Sequence, residues 1–219
     1  MSPARRGRGR FLVLEGLDGA GTTTQSRLLG ERLRASGRRV HVTAEPSGGP
    51  VGALLRQVLT GRVRGRGGGE LDPGAVALLF AADRLDHVAA EIAPRLADGV
   101  DVISDRFTLS SLAYQAITTG DADWVARLND RALAPDLVVF LRARPSVALA
   151  RRRAGSADPE LYEVSDFQRR VARGYERALD VLRSAGQRVV VLDGEAPVDA
   201  VADAVWAAVS TVRPPPRGR

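Results

Sequence analysis

Short apolar runs alternate with longer amphipathic segments along nearly the whole chain. The apolar runs predict five strands, at residues 11–14, 39–43, 100–104, 137–141 and 189–192. Apolar residues at helical spacing predict helices at about 22–36, 50–60, 73–98, 109–119, 122–133, 145–153, 165–185 and 197–211. Because this alternation is typical of buried parallel sheets, it predicts an α/β fold with a parallel five-stranded sheet and helices on both faces. Ligands of such folds bind at the carboxyl ends of the strands.

A glycine-rich segment lies between the first predicted strand and the first predicted helix. Residues 16–23 read G-L-D-G-A-G-T-T, which matches the phosphate-binding pattern G-x-x-x-x-G-K-[ST] except that Thr22 replaces the lysine. In such a P-loop, backbone N–H groups at a helix start hold the phosphates of a nucleotide. The residues expected to contact them are Gly16, Gly19, Ala20, Gly21, Thr22, Thr23 and Thr24. The Thr23 hydroxyl falls where a Mg²⁺ ligand belongs, whereas the alternative is a glycine-rich turn with no ligand.

Length and composition set the organisation of the chain. At 219 residues it has room for one domain, predicted at 10–211, between disordered Pro/Gly/Arg-rich tails at 1–9 and 212–219. It contains no cysteine, which excludes disulfides and thiolate metal sites. No apolar stretch reaches membrane-spanning length, so we expect a cytoplasmic protein with no membrane partner.

The net charge of +6 does not indicate a nucleic-acid-binding domain. All 32 basic residues are arginine, and seven of them lie near the two chain ends: Arg5, Arg6, Arg8, Arg10, Arg213, Arg217 and Arg219. Without these seven, 25 arginines face 26 acidic residues, a net charge of −1. The excess positive charge therefore belongs to the ends of the chain, and we expect no specific nucleic-acid partner.

Further segments place polar and aromatic residues near predicted strand ends. The segment D-R-F at 105–107 follows the third strand, and S-S-L-A-Y-Q at 110–115 begins the next helix. Phe80 and Arg84 lie one helical turn apart on one face of a helix. The turn E-P-S-G-G at 45–49 precedes the helix that carries Arg56. Since arginine binds phosphate bidentately, these segments favour a second phosphate-bearing ligand.

Together these segments resemble the thymidylate kinase family of P-loop nucleoside monophosphate kinases. The family's motifs occur here in the family's order: G-x-D-G-x-G, E-P-x-G-G, L-L-F-A-A-D-R, D-R-[YF] and S-S-x-A-Y-Q. The resemblance covers roughly residues 10–210, and five motifs in one order are far more specific than any one alone. It implies a P-loop NTPase-type fold with a mobile lid at about 151–163. It also implies ATP and Mg²⁺, dTMP as the preferred phosphoryl acceptor over dCMP and dGMP, and a possible homodimer.

The resemblance further implies which residues contact the nucleoside of dTMP. Phe80 would stack on thymine, although taken alone it is more simply a core residue. Arg84 would bond the O4 edge of thymine, and Ser110 and Gln115 would complete the recognition of the base. Tyr114 would pack beside the deoxyribose.

The same resemblance implies roles around the sugar hydroxyl and the phosphates. Asp18 would meet the 3′-hydroxyl of dTMP, while Arg56 and Arg106 would hold its phosphate. Glu45 would support this pocket. Asp105 would lie near the metal and the transferring group, so that it counts with Arg106 among the catalytic residues.

Each of these residues also has a purely structural interpretation. Arg84 could form a surface ion pair with Asp83 or a nearby acid, and Asp105 and Arg106 could form a salt bridge at the strand end. Ser110 could simply cap its helix. What favours the functional interpretation is that the segments occur together, in order, downstream of a P-loop.

Two positions depart from the family pattern and bear on the mechanism. Thr22 removes the loop lysine, and Gly19 stands where some members carry a loop arginine, so the missing charge must come from elsewhere. The available arginines are Arg151, Arg152 and Arg153, of which Arg153, nearest the polar segment at 154–163, is the preferred catalytic residue. Without such a replacement the chain would be a catalytically weak nucleotide-binding module. A kinase for a different nucleoside monophosphate is the third hypothesis.

Overall fold

The computed structural model describes residues 7–153 and 161–213. In this part of the chain, five parallel strands form one sheet: β1 Phe11–Gly16, β2 Val40–Ala44, β3 Asp101–Asp105, β4 Leu137–Arg142 and β5 Val189–Asp193. Their order across the sheet is β2-β3-β1-β4-β5. All five predicted strands are confirmed. Every residue of β1 and β3 is buried, as continuous apolar strands in the middle of a covered parallel sheet should be.

Helices connect the strands and pack on the sheet. They are α1 Thr22–Ala35, α2 Pro50–Leu59, α3 Pro73–His87, α4 Ala93–Ala97, α5 Thr108–Thr119, α6 Ala122–Leu128, α7 Pro145–Arg153, α8 Leu161–Ser184 and α9 Val198–Ser210. Helix α1 packs beside α9, and α5 packs along α8. Because β1 lies between β3 and β4, the loops that follow β1 and β3 are neighbours at one edge of the sheet. None of the helices in the described ranges has both the length and the apolarity that a membrane span needs.

Two helices differ from their predictions: one contains a π-helical turn, and the other ends earlier than the sequence pattern indicated. The helix predicted at 73–98 is interrupted by a π-helical turn, Val88–Ile92, just ahead of Pro94. Since proline has no N–H to continue the α-helical bonding, the change of pitch there is expected. The helix predicted at 122–133 ends at Leu128. There the side chain of Asn129 donates to the Val125 carbonyl at 2.8 Å, in place of a backbone donor.

The predicted domain boundary at residue 10 differs from the structure, and the predicted lid lies only partly within the described residues. Arg8 and Gly9, placed in the tail by composition, are bonded to the domain: Arg8 pairs with Asp136 at 2.8 Å, and Gly9 N donates to the Leu96 carbonyl. Of the predicted lid at 151–163, residues 151–153 end α7 and residues 161–163 begin α8. The residues between them lie outside the described ranges, so the lid remains a prediction.

Candidate functional site

The P-loop connects β1 to α1 and has the backbone shape that its glycines predict. Gly19 and Gly21 have positive φ angles of 93° and 97°, which side-chain-bearing residues rarely adopt. A Cβ atom on Gly19 would lie only 2.1 Å from the Ala148 carbonyl oxygen, so the loop approaches α7 too closely for any other residue. Helix α1 begins at Thr22, and therefore its unpaired N–H groups face the loop.

A cavity of about 890 Å³ opens over the P-loop. Its floor is formed by loop residues 18–25, and its far wall by residues 194–198 and Val201, at the start of α9. Three guanidinium-bearing residues complete the lining: Arg106, Arg151 and Arg152. The cavity thus has a polar end with backbone donors at the loop and a more apolar end at Ala196, Pro197 and Val198, which is an arrangement that suits a nucleotide.

Thr22, which replaces the loop lysine, is buried in the wall of this cavity. Arg151 donates to the carbonyls of Gly194 at 2.6 Å and Glu195 at 3.0 Å, so its guanidinium is held at the wall away from the loop. Arg152 lines the same cavity. Arg153 ends α7, but its side chain lies outside what the structure describes, and its catalytic role stays a prediction.

Thr23 and Asp105 form the candidate metal site. The Thr23 hydroxyl donates to Asp105 Oδ2 at 2.5 Å, across the join between the P-loop and β3. The other carboxylate oxygen, Oδ1, is buried and has no hydrogen-bond partner among the described residues. Hydroxyl and carboxylate oxygens suit Mg²⁺, which usually takes only one or two protein ligands and completes its coordination shell with phosphate and water. Asp105 Oδ1, unpartnered within the described part of the chain, is available for such a bond. The two residues therefore fit the metal that the P-loop implies.

Arg106 follows β3 with a left-handed backbone, φ 76°, an uncommon conformation for a residue other than glycine. Its N–H donates to the Leu14 carbonyl at 2.9 Å, which fixes this turn against β1. The guanidinium then reaches back to Asp18 of the P-loop at 2.7 Å. Asp105 and Arg106 are thus not paired with each other, and the strand-end ion pair considered as an alternative is absent from the described residues.

Glu15, the last residue before the P-loop glycine, is completely buried beside Arg106. It accepts hydrogen bonds from the Ser110 hydroxyl at 2.6 Å and from the Phe107 N–H at 2.8 Å. Burial raises the pKa of Glu15 to about 7, although the bonds from Ser110, the charge of Arg106 and the Phe107 N–H act in the opposite direction. Ser110 therefore bonds Glu15 rather than capping its helix, which begins after Phe107.

Arg84 lies inside the domain with all five N–H groups engaged. It contacts Glu45 Oε2 through Nε at 2.9 Å and Nη2 at 2.7 Å, and the Phe107 carbonyl at 3.1 Å. Its Nη1 donates to Ser111 Oγ at 3.1 Å and to Asn129. The surface pair with Asp83 is thus not formed. A thymine contact, as predicted for Arg84, requires the base to take over one of these bonds.

The turn at residues 45–49 is held in place by α3. Asp83, which is buried, accepts from Ser47 N at 2.7 Å and from Ser47 Oγ at 2.5 Å. Gly52 is required beside them, because a Cβ atom there would lie 2.1 Å from the Ser47 carbonyl oxygen. Arg56 donates from Nη1 to the carbonyls of Pro46 at 2.9 Å and Ser47 at 2.5 Å, and its side chain is otherwise on the surface of the turn.

The remaining predicted residues lie on α3 and α5, close to Arg84 and to Asp18 of the P-loop. Phe80 is half-buried on α3, one turn before Arg84, and Gln115 is buried on α5. The Tyr114 hydroxyl donates to Asp18 Oδ2 at 3.1 Å, and burial raises the pKa of Tyr114 to about 12. Helix α3, helix α5 and the P-loop are therefore linked through bonded side chains.

Sequence reasoning missed three residues that bond to predicted ones: Glu15, Asn129 and Tyr175. Glu15 carried a usable signal, since it is the only charged residue in an otherwise apolar strand. Tyr175 lies in a long amphipathic helix about 70 residues from Arg106, and nothing in its local sequence distinguishes it from core packing. Asn129 follows a short helix and carried no signal either.

The sheet order, the loop and the strand-end carboxylate facing the loop threonine define a P-loop phosphotransferase of the α/β class. The family model described as thymidylate kinase matches residues 14–205. The chain belongs to the thymidylate kinase family.

Individual relatives are similar in sequence to this chain over most of its length. The thymidylate kinase of Nitrobacter winogradskyi is 40% identical over 210 residues, covering 92% of this chain and 88% of the relative. That of Thermomicrobium roseum is 41% identical, with 92% and 95% covered. That of Pelotomaculum thermopropionicum is 43% identical, with 85% and 86% covered. The match of the family model to residues 14–205 includes the P-loop, the turn at 45–49 and the segments on β3 and α5.

Proposed function

We propose that the protein transfers the γ-phosphoryl group of ATP to dTMP, giving ADP and dTDP. The observation that carries the proposal is the position of Arg106, which lines the cavity over the P-loop and also bonds Asp18 beside Tyr114. An arginine there can contact both phosphates whose mutual repulsion the reaction must overcome. Such transfers depend mainly on positioning and charge neutralisation.

ATP is assigned to the cavity of about 890 Å³. Its phosphates lie on the backbone N–H groups at the start of α1, and its base lies at the apolar end near Pro197 and Val198. Thr23 and Asp105 would hold Mg²⁺, which would neutralise charge on the ATP phosphates. Because Thr22 brings no charge, one of the arginines at the end of α7 supplies it, with Arg153 as the preferred residue.

The dTMP molecule is assigned to the space between α3, α5 and the P-loop. Arg56 and Arg106 hold its phosphate and Asp18 its 3′-hydroxyl, while Phe80 offers a face for the base. Arg84 and Gln115 read the thymine edge, and O4 would displace Asn129 or Ser111 from the Arg84 guanidinium. The oxygen of the dTMP phosphate attacks the γ-phosphorus in line, the bond from phosphorus to the bridging oxygen of ADP breaks, and ADP leaves.

The test is a coupled assay of ADP release with dTMP, dUMP, dCMP and dGMP as acceptors. We expect dTMP to be turned over well ahead of dCMP and dGMP. Equal rates with dCMP and dTMP would contradict the roles of Phe80, Arg84 and Gln115. No transfer to any monophosphate, together with measurable ATP binding, would favour a nucleotide-binding module instead. Asp105→Asn serves as the control that removes metal-dependent transfer while preserving size.

We also propose that the protein forms a homodimer through α2 and α3. Leu78 and Leu85 are two turns apart on α3, with 50% and 38% of their surfaces exposed, and Leu59 on the neighbouring α2 is 57% exposed. Sedimentation should show a dimer that Leu78→Glu converts to a monomer. Val181→Glu, at an equally exposed position on α8, is the matched control and should leave the dimer intact. A wild-type monomer would contradict this proposal.

A further inference from the structure

The hydroxyl of Tyr175, on α8, lies where the P-loop and the acceptor side of the site meet. It accepts a hydrogen bond from Arg106 Nη1 at 3.1 Å and donates to the Gly16 carbonyl at 2.9 Å. Ser110 Oγ lies 2.9 Å from the same oxygen, and Glu15 Oε2 lies 3.5 Å away. One phenol oxygen thus contacts the first glycine of the P-loop and the arginine that follows β3.

The position of this oxygen is set by tight packing. Tyr175 is completely buried, and its ring packs edge-on against Tyr114 and at a tilt against Phe140, with centroid separations of 6.0 and 5.0 Å. The preceding residue, Gly174, brings α8 so close to α5 that a Cβ atom would lie 2.8 Å from the Ala113 carbonyl oxygen. The ring therefore has little freedom to move its hydroxyl away from Arg106.

We propose that Tyr175 is a positioning residue that holds the Arg106 guanidinium in place between the two substrates. The inference rests on the proposed function, in which Arg106 contacts the transferring and acceptor phosphates. Asp18 accepts from Nη2 at 2.7 Å, while Tyr175 and Ser110 both accept from Nη1 at 3.1 Å. Acceptors on both terminal nitrogens fix the plane of the guanidinium, and the Tyr175 hydroxyl also contacts Ser110 Oγ at 2.9 Å, so that it holds both the arginine and its second acceptor.

The chemistry explains why a tyrosine suits this task. The hydroxyl can accept from Arg106 while donating to a carbonyl, which neither an ionised carboxylate nor an aliphatic side chain can do. Asp18 is 41% exposed at its side chain and is also assigned to the substrate sugar, so its bond to Arg106 must be shared when dTMP binds. The Tyr175 bond is independent of the substrate and persists.

Tyr175→Phe in the full-length protein tests the proposal. It keeps the ring and removes the hydroxyl, so we expect kcat/KM for dTMP to fall about 10- to 100-fold, the usual range for a hydrogen bond to a charged group. The KM for ATP should change less than about twofold, since the P-loop donors are untouched. Val181→Ala, at an exposed position on the same helix, is the control and is expected to keep wild-type kinetics. Wild-type kinetics in Tyr175→Phe would overturn the inference.

A double-mutant cycle separates positioning from a general structural role. If Tyr175 acts through Arg106, adding Tyr175→Phe to Arg106→Ala should lower kcat/KM for dTMP no further. Additive losses would overturn the inference. Failure of the proposed function has a different result, namely no effect of Arg106→Ala on dTMP turnover or no turnover by the wild type.

Ser110→Ala gives a second measurement, which does not depend on how well Tyr175→Phe folds. It removes the second acceptor of Arg106 Nη1, at 3.1 Å, but leaves the bond between Tyr175 and Arg106, so we expect a loss smaller than that of Tyr175→Phe, which removes a contact to both Arg106 and Ser110. A loss as large as that of Arg106→Ala would mean that Ser110, and not Tyr175, holds the guanidinium.

Discussion

The proposed dTMP-binding part of the site (the acceptor side) and the proposed ATP-binding part (the donor side) present different kinds of polar group to their ligands. On the acceptor side, charged groups lie inside the domain: the paired side chains of Arg84 and Glu45 are 2% and 3% exposed. On the donor side, the P-loop presents backbone N–H groups, and the nearby arginines Arg151 and Arg152 are exposed. A buried charge is bonded in one geometry and has no substitute, whereas an exposed charge beside an open cavity can come from several positions.

This difference explains where the chain has been able to depart from its family. In the proposed function the loop lysine would act on the donor side, where the P-loop backbone and Mg²⁺ would also neutralise phosphate charge. A threonine at position 22 therefore removes only one of several groups that would neutralise the phosphate charge. The loss of Arg84 or Arg106 would instead leave Glu45 or Asp18 without its arginine.

The largest expected effect on the donor side comes from the arginines at the end of α7. Arg153→Ala should lower kcat by about 10³-fold or more, as for other arginines that stabilise the transferring phosphoryl group. The KM for ATP should change far less, because the charge is needed only in the transition state. Arg151→Ala is the comparison: its guanidinium is bonded to the Gly194 and Glu195 carbonyls, so it should mainly raise the KM for ATP. If Arg151, Arg152 and Arg153 are each dispensable, the replacement of the lysine charge by α7 is wrong.

On the acceptor side, Arg106→Ala should raise the KM for dTMP and also lower kcat. We expect kcat/KM for dTMP to fall about 10²- to 10³-fold, the range for removing one group that stabilises charge in the transition state. Arg142→Ala, which removes an exposed pair with Glu176, is the control and should be nearly silent. Steady-state kinetics with varied dTMP at saturating ATP measures both. Wild-type constants in Arg106→Ala would remove the basis for the acceptor assignment.

The burial of the acceptor side also predicts a difference in stability. Arg84→Ala leaves Glu45 buried without its partner, and should lower the free energy of unfolding by about 3–5 kcal/mol. Arg27→Ala removes an exposed pair with Glu31 on α1 and should cost less than about 1 kcal/mol. Urea unfolding of both variants measures the contrast. Equal losses would mean that the acceptor network is no more tightly held than the surface.

Glu15 gives the stability of the protein a pH dependence between pH 4.5 and about 7. Burial raises its pKa from 4.5 to about 7, so the folded protein holds this proton more tightly than the unfolded chain. The associated stability is fully present below pH 4.5 and is lost as the pH rises towards 7, by about 3 kcal/mol in all. Glu15→Gln should remove this fall, which unfolding curves recorded from pH 4.5 to 7.5 would show as a flatter profile. If Glu15→Gln kept the wild-type dependence of the unfolding free energy on pH, the titration would belong to another group.

The predictability of the site from sequence follows the same division. The strands, the P-loop and the residues after β3 were predictable because apolar runs mark buried strands and a parallel sheet brings their carboxyl ends together. Thr23 and Asp105, 82 residues apart, meet for that reason alone. The direction of the Arg84 side chain was not predictable, since its partners Glu45 and Asn129 come from segments whose packing no local pattern specifies.

The smallest expected effect concerns Thr22 itself. If the donor side already has enough positive charge, Thr22→Lys should change kcat less than about threefold, since a further cation beside Arg106 adds little neutralisation. The same substitution in Arg153→Ala should restore a large part of the lost rate, because the loop lysine would then supply the charge that α7 no longer brings. Thr22→Met, of similar length but uncharged, separates charge from bulk and should restore nothing. A gain of about 100-fold from Thr22→Lys in the otherwise unchanged protein would show that the donor side lacks a charge, and that the arginines of α7 do not replace the lysine.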